Sequence, residues 1–361
     1  SIVLGAKSKM SQQSSNFLRY IHNFRGLAIL LIVAGHVAGL LTFENRPKLN
    51  TLIHILTANG SVYFVFIAGF LFQFLSKKYQ YGSYLKKKFK NVVLPYLLIS
   101  IPAIALCIWK GQPYYSATGF ASAFANWSVF QQIAVLYLTG AHFFHFWFMP
   151  MIILFYFFAP LFIWIDRKPK FYSILPILLT LSVLVPRAED DSLILQNFVH
   201  FLSIYTLGMF CSRYREKILG YVQRHRLCLT IAVVALIALE SYMITTATPI
   251  ISVLYTNTLT KAILSLLMIY CLWLFDAAFS SRFHAVMNGL ANLSFGIYFL
   301  HGYFIYVYAF GLSRSGLKPW IGSGEVLLLA MVFLLVILST IASLLVTQKL
   351  FGKNSRYIIG C

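Results

Sequence analysis

The 361 residues are 60% hydrophobic and 17% aromatic but only 11% charged, with a mean hydropathy of +0.78. A soluble domain of this length cannot cover its core with so few charges, whereas apolar stretches of roughly 18 to 25 residues each cross about 30 Å of hydrocarbon as a helix. The formal charge of +20 excludes little by its size; its placement along the chain follows membrane topology and needs no nucleic acid.

In chain order the pattern predicts an all-α polytopic membrane protein of about ten transmembrane helices. They are expected at residues 24–43, 51–75, 91–109, 141–165, 171–186, 194–212, 227–247, 250–275, 285–311 and 323–348. Residues 1–23 read as a short polar cytoplasmic segment with no cleavable signal. The stretch NWSVFQQIAVLYL (126–138) is too short to span and is expected at the interface or re-entrant. No repeat or soluble appendage is visible, so residues 1–361 read as one membrane domain.

With the N-terminus inside, basic residues gather on one side. They are Lys7, Lys9 and Arg19; the lysines from Lys77 to Lys90; Arg167, Lys168 and Lys170; Arg213 to Arg226; Arg282; and Lys349 to Arg356. Arg46, Lys48, Lys110, Arg187, Arg314 and Lys318 fall on the other side, together with the acidic Glu189, Asp190 and Asp191. This alternation obeys the positive-inside rule and puts both termini in the cytoplasm. The five cysteines show no CxxC or metal spacing and are expected to be free thiols. No metal is expected: the nine histidines lack ligand spacing and the carboxylates are too sparse for a hard-cation cage. No Gly-rich phosphate loop is present.

The first predicted helix contains RGLAILLIVAGH, residues 25–36. Eleven helical steps come to about three turns plus 20° and about 16 Å, so Arg25 and His36 project from one face. Alone, Arg25 reads as a snorkelling residue at the cytoplasmic boundary and His36 as a satisfied histidine near mid-membrane. Together they put a cation at the mouth and a titratable ring at depth on one face.

Three other groups carry a cost inside a membrane. Ser294, Tyr298 and His301, spaced by four, three and seven, form one polar stripe on the ninth helix, either a hydrogen-bond ladder or a cavity lining. His145 and Trp147 begin the fourth predicted helix near the external boundary, where tryptophan commonly anchors. Glu240 and Lys261 fall at equal depth on an antiparallel hairpin, which suggests a structural intramembrane ion pair.

NFRGLAILLIVAGH resembles the arginine, ten-residue, histidine signature in the first helix of the acyltransferase-3 family of integral membrane acyltransferases. VYFVFIAGFLF (62–72), HFWFMPMIILFYFFAPL (145–161) and LSFGIYFLHGYF (293–304) resemble three further motifs of that family in type and order. One segment departs: where the family often carries R-x-x-R before its third helix, KKKFKNVVLPY (86–96) puts Lys88 and Asn91. Positive charge survives there, but bidentate arginine chemistry does not.

The resemblance implies a membrane O-acyltransferase of the bacterial cytoplasmic (inner) membrane. It would take an acyl group, acetyl by expectation, from acyl-CoA as donor substrate to a hydroxyl of a cell-envelope or exported carbohydrate, free or lipid-linked. In that reading His36 is the base or transient acyl acceptor, and Arg25 is a catalytic and donor-binding residue. Lys87, Lys88 and Lys90 attract the anionic donor; His145, Trp147, Ser294, Tyr298 and His301 line the acceptor side. The lipid bilayer is an obligate partner, and a homo-oligomer is allowed. The competing reading is a ten-helix transporter of a small anionic or sugar-like solute, against which stands the lack of an inverted repeat.

Overall fold

Every helix pair that comes close in a membrane has to be permitted by small residues or held by polar contacts, since lipid is as apolar as leucine. The computed structural model describes residues 18–40, 46–114, 119–188, 193–246, 253–314 and 326–361, and among these there is no strand. The helices are α1 Arg19–Ala38, α2 Pro47–Thr57, α3 Ser61–Phe74, α4 Tyr81–Lys88, α5 Leu94–Lys110, α6 Ala121–Phe124, α7 Val129–Thr139 and α8 Phe148–Phe157. They continue as α9 Ala159–Arg167, α10 Leu175–Leu184, α11 Ile194–Arg213, α12 Arg215–Thr246, α13 Val253–Leu274, α14 Ser281–Arg314, α15 Val326–Phe351 and α16 Ser355–Ile359.

The chain is an all-α polytopic membrane protein. Eight helical stretches among the described residues are long and apolar enough to cross a membrane, and α8 with α9, bent by 54°, form either a broken ninth span or a re-entrant pair. The segment expected to span at 171–186 is the shorter apolar stretch Pro169–Leu184. The expected span at 51–75 is two helices joined at Asn59, whose φ of 56° is left-handed, a conformation asparagine tolerates. Its Nδ2 donates to Thr258 Oγ1 at 2.9 Å, and its Oδ1 accepts from Ser61 Oγ at 3.2 Å. Most of the polar N-terminal segment, and the acidic Glu189, Asp190 and Asp191, lie outside the described residues.

α1 starts five residues earlier than expected. Its first turns carry Arg19, His22 and Asn23, polar side chains that a hydropathy reading leaves outside the membrane, and each has a partner on the α13–α14 side. Arg19 Nη1 lies 3.4 Å from the Asp276 carboxylate, His22 Nε2 donates to Asn288 Oδ1 at 2.8 Å, and Asn23 Nδ2 donates to His284 Nδ1 at 3.3 Å. Along these twenty residues, about 30 Å, Arg25 lies nearly two turns in and His36 in the last turn.

The tightest crossing is between α3 and α11. A methyl group on Gly69 would collide with the Tyr205 carbonyl, and one on Gly208 with the Phe66 carbonyl, so two glycines let the backbones touch reciprocally. Around this centre lies one aromatic-rich core containing Phe24, Phe66, Phe70, Phe155, Phe162 and Tyr205. α12 and α15 bury only 17% and 22% of their apolar windows, against 67% for α2 with α3. They are the peripheral, lipid-facing helices, and α1, α3, α11 and α14 position the site.

Candidate active site

α1 and α14 pack side by side, and the polar residues of one meet those of the other in the same order. Near the start, Arg25 Nε donates to Ser294 Oγ at 2.7 Å, and Ser294 Oγ donates onward to the Ala291 carbonyl at 2.8 Å. Near the end, the ring centres of His36 and His301 lie 5.3 Å apart. The arginine, the serine and two histidines therefore form two parallel polar rows, as the periodicities of both helices predict.

His145 completes a histidine cluster. Its ring centre is 4.6 Å from that of His301 and 6.4 Å from that of His36. It does not begin a helix as expected: residues 141–147 form a run of turns and α8 starts only at Phe148. Gly302 makes room for the ring, since a methyl group there would collide with His145 Cε1. Tyr298 Oη donates to the His145 carbonyl at 2.5 Å and fixes the turn from the α14 side. His301 Nδ1 contacts the Tyr298 carbonyl at 2.8 Å and the Ile297 carbonyl at 3.0 Å, so Nδ1 carries the proton and Nε2 the lone pair. That Nε2 and both ring nitrogens of His145 are buried without a hydrogen-bond partner. Buried polar atoms are rarely left so without a functional reason, and unfilled imidazole nitrogens are what proton transfer to a bound group requires.

Trp147 is not an interfacial anchor. It is 5% exposed, stacks on Phe201 at 6.0 Å, and carries the Arg187 guanidinium 4.5 Å above its ring. Arg187, which also acts electrostatically on His36, had only a topological meaning in the sequence. Phe144, its ring centre 4.8 Å from that of His36, was equally invisible there.

On the lysine-rich face opens a cavity of about 1580 Å³, larger than the roughly 300–1,000 Å³ typical of small-ligand sites. Leu18 and Cys361, the first and last described residues, both line it, so the two described ends share this face. Arg25, Lys87, Lys88 and Asn91 line it as well, and Lys90 does not. Contrary to the expected grouping, Lys90, exposed in the π-helical turn Phe89–Val93, stands apart from its neighbours Lys87 and Lys88. The same turn carries Asn91 back onto the cavity wall. Lys88 Nζ lies 4.5 Å over Tyr156 and 5.4 Å over Tyr84, a cation held against two aromatic faces.

The wall also contains Lys77, Lys78, Arg213, Arg215 and Arg356, with Glu216 as the single acid among the lining residues. In the sequence these cations mark topology alone; only the fold brings them together. Arg213 is partly neutralised, with Nη1 3.1 Å from Asp166 Oδ1 and 2.7 Å from the Asp166 carbonyl. The Ser212 and Tyr79 hydroxyls, both on the wall, are buried without partners. The cavity is thus a basic chamber with spare hydrogen-bonding groups, suited to a large anion.

Cavity and histidine cluster are separate. The cavity ends at Phe148, whose ring centre is 5.7 Å from that of Tyr298, and Tyr298 lies 5.3 Å from His145 and 6.2 Å from His301. Two aromatic rings therefore stand between the arginine end and the histidine end.

Glu240 and Lys261, buried at 0% and 1% exposure, do not form the expected direct ion pair. Lys261 Nζ donates to the carbonyls of Ile55, at 3.0 Å, and Leu56, at 2.5 Å. These belong to the last turn of α2, where unpaired carbonyls and the helix dipole attract a cation. Glu240 accepts instead from Thr260 at 2.6 Å and Asn257 at 3.0 Å. Asn257 also donates to Ile55 at 3.2 Å, so the two charges are linked only through this carbonyl. Among the described residues no group of three His, Cys, Asp or Glu side chains is placed to hold a metal ion.

No curated protein and no solved structure matches the chain. A family model described as an acyltransferase domain, Acyl_transf_3, matches residues 18–348, a stretch that includes both polar rows, the histidine cluster and most of the cavity wall. The chain therefore belongs to the acyltransferase-3 family and is a membrane acyltransferase.

Proposed function

We propose that this acyltransferase uses acyl-CoA as donor, with acetyl as the acyl group, and a hydroxyl of a cell-envelope or exported carbohydrate as acceptor. The membrane is the bacterial cytoplasmic membrane, with the lysine-rich face toward the cytoplasm, as the positive-inside rule favours. The observation that carries the donor assignment is the basic cavity on that face with Arg25 in its wall. A nucleotide thioester is polyanionic and large, and Arg25, Lys87 and Lys88 supply its counter-charges.

His36, at the other end of α1, is the base or the transient acyl acceptor. As base, it takes the proton of the acceptor hydroxyl; the oxygen attacks the thioester carbonyl carbon, and collapse of the oxyanion breaks the C–S bond. The proton then returns to the departing thiolate. As carrier, one ring nitrogen forms the N–acyl bond while the C–S bond breaks and the departing thiolate takes the proton from the other; in a second step the hydroxyl oxygen attacks the acyl carbon, the N–acyl bond breaks and the hydroxyl proton passes to the imidazole. In either route the neighbouring His145 imidazole, in its N–H form, stabilises the oxyanion. Tyr298 and Ser294 hold this machinery in place from α14, and Trp147 borders it.

The test is release of free coenzyme A by the purified protein in detergent from radiolabelled acetyl-CoA, comparing wild type with His36→Ala and Arg25→Ala at matched folding. Turnover or retained label in wild type, lost in both variants, is the expected result. A folded wild type that neither binds nor consumes acetyl-CoA or longer acyl-CoAs overturns the donor assignment and makes solute transport the reading to pursue.

A further inference from the structure

The family match ends at residue 348, yet the cavity wall does not. α15 runs on to Phe351, a 3-10 turn follows at Gly352–Asn354, and α16 folds back against α5 and the π-helical turn that precedes it. The fold-back is anchored: Ile359 is buried at 5% exposure, and Ser355 Oγ donates to the Cys361 carbonyl at 2.8 Å. A methyl group on Gly360 would crowd the Phe299 ring and Phe295 Cβ, so the backbone packs close to both residues. From this segment Arg356, Gly360 and Cys361 face the cavity.

We infer that the fold-back segment completes the donor site of this particular chain through Arg356, Gly360 and Cys361, with Arg356 binding a phosphate group of the donor. The inference rests on the acyl-CoA reading above and adds a residue beyond the matched family segment. Arg356 shares the cavity wall with Arg25 and Lys88, and both act electrostatically on Arg25. Arg356 and Lys88 each repel Arg25, with Glu216 as the only acid among the lining residues, and one multiply charged anion relieves this repulsion. The unpartnered Ser212 hydroxyl in the same wall is a further group that such an anion satisfies. Lys87 and Lys88 in the same lining offer point charges. Arg356 adds the planar fork that grips two phosphate oxygens at once.

The experiment measures coenzyme A affinity and steady-state kinetics for the full chain in detergent, using wild type, Arg356→Ala, Arg356→Lys and Lys353→Ala. Lys353 is exposed on the same segment but off the cavity wall, so its variant controls for the segment's folding and charge. Losing a charge-assisted phosphate contact is expected to weaken coenzyme A binding, and raise KM for acetyl-CoA, by about tenfold or more. Turnover of acetyl-pantetheine, which lacks the phosphates, stays unchanged in Arg356→Ala; Arg356→Lys recovers part of the affinity; Lys353→Ala behaves as wild type. Equal coenzyme A affinity in wild type and Arg356→Ala overturns the inference and leaves the donor reading intact. Equal losses with acetyl-CoA and acetyl-pantetheine also overturn it, because they mark a packing role. A wild type that binds no coenzyme A removes the donor reading and this inference together.

Discussion

Arg25 Nε donates to Ser294 Oγ at 2.7 Å, a bond that takes the inner nitrogen of the guanidinium and leaves the outer fork for a ligand. The group also lies over Phe295, 5.3 Å from the ring centre, so α14 supplies both the bond and the surface that orient it. Ser294→Ala keeps the charge and loses the orientation. It is expected to raise KM for acetyl-CoA by about tenfold with kcat little changed, and Arg25→Lys, a point charge without the fork, should do at least as much damage. Unchanged kinetics in Ser294→Ala would mean that the serine only ties two helices together.

Gly302 sits where any side chain would strike the His145 ring. Gly302→Ala therefore displaces a group of the histidine cluster without altering any ionisable residue. Overpacking at such a buried site costs about 1–3 kcal/mol, so a lowered midpoint of thermal unfolding is expected. Turnover should fall much further than that loss explains, measured below the unfolding transition. A Gly302→Ala protein with the stability loss but full turnover would remove His145 from the chemistry.

The sequence made the pairing of Arg25 with His36 legible because both lie on one helix, where period alone fixes the face. The same holds for the stripe of Ser294, Tyr298 and His301. What it misplaced depends on other helices. The helix α1 starts before its apolar pattern because Arg19, His22 and Asn23, which look exposed in sequence, pair with Asp276, Asn288 and His284. Lys261 was matched with Glu240 by depth, yet the carbonyl ends of α2 compete for its ammonium. The second basic wall, with Arg213, Arg215 and Arg356, comes from segments far apart in the chain, and no local pattern brings them together.

That competition sets an order of losses in the α12–α13 hairpin. Lys261→Ala strips the Leu56 carbonyl of its donor, leaves the Ile55 carbonyl to Asn257 alone and removes a charge from near the buried Glu240, a loss of about 3–5 kcal/mol. Glu240→Gln keeps an acceptor for Thr260 Oγ1 and changes little else, so its loss is expected to be clearly smaller. Thermal unfolding in the same detergent measures both. Equal losses would favour a direct pair over the carbonyl-bound lysine.

Phe148 is the last cavity residue before Tyr298 and the histidines, and it sets how much of an acyl chain fits between the two halves of the site. Phe148→Ala removes one of the two rings in that path and leaves Tyr298, which holds the His145 turn, untouched. In a pocket that reads chain length by packing, each methylene is worth about 1–3 kcal/mol. The ratio of kcat/KM for butyryl-CoA over acetyl-CoA is therefore expected to rise by about tenfold or more in the variant. The gain should come from the longer chain, since acetyl needs no extra room. A ratio unchanged from wild type would mean that the acyl group does not pass between Phe148 and Tyr298, and that the arginine end and the histidine end are joined by another route.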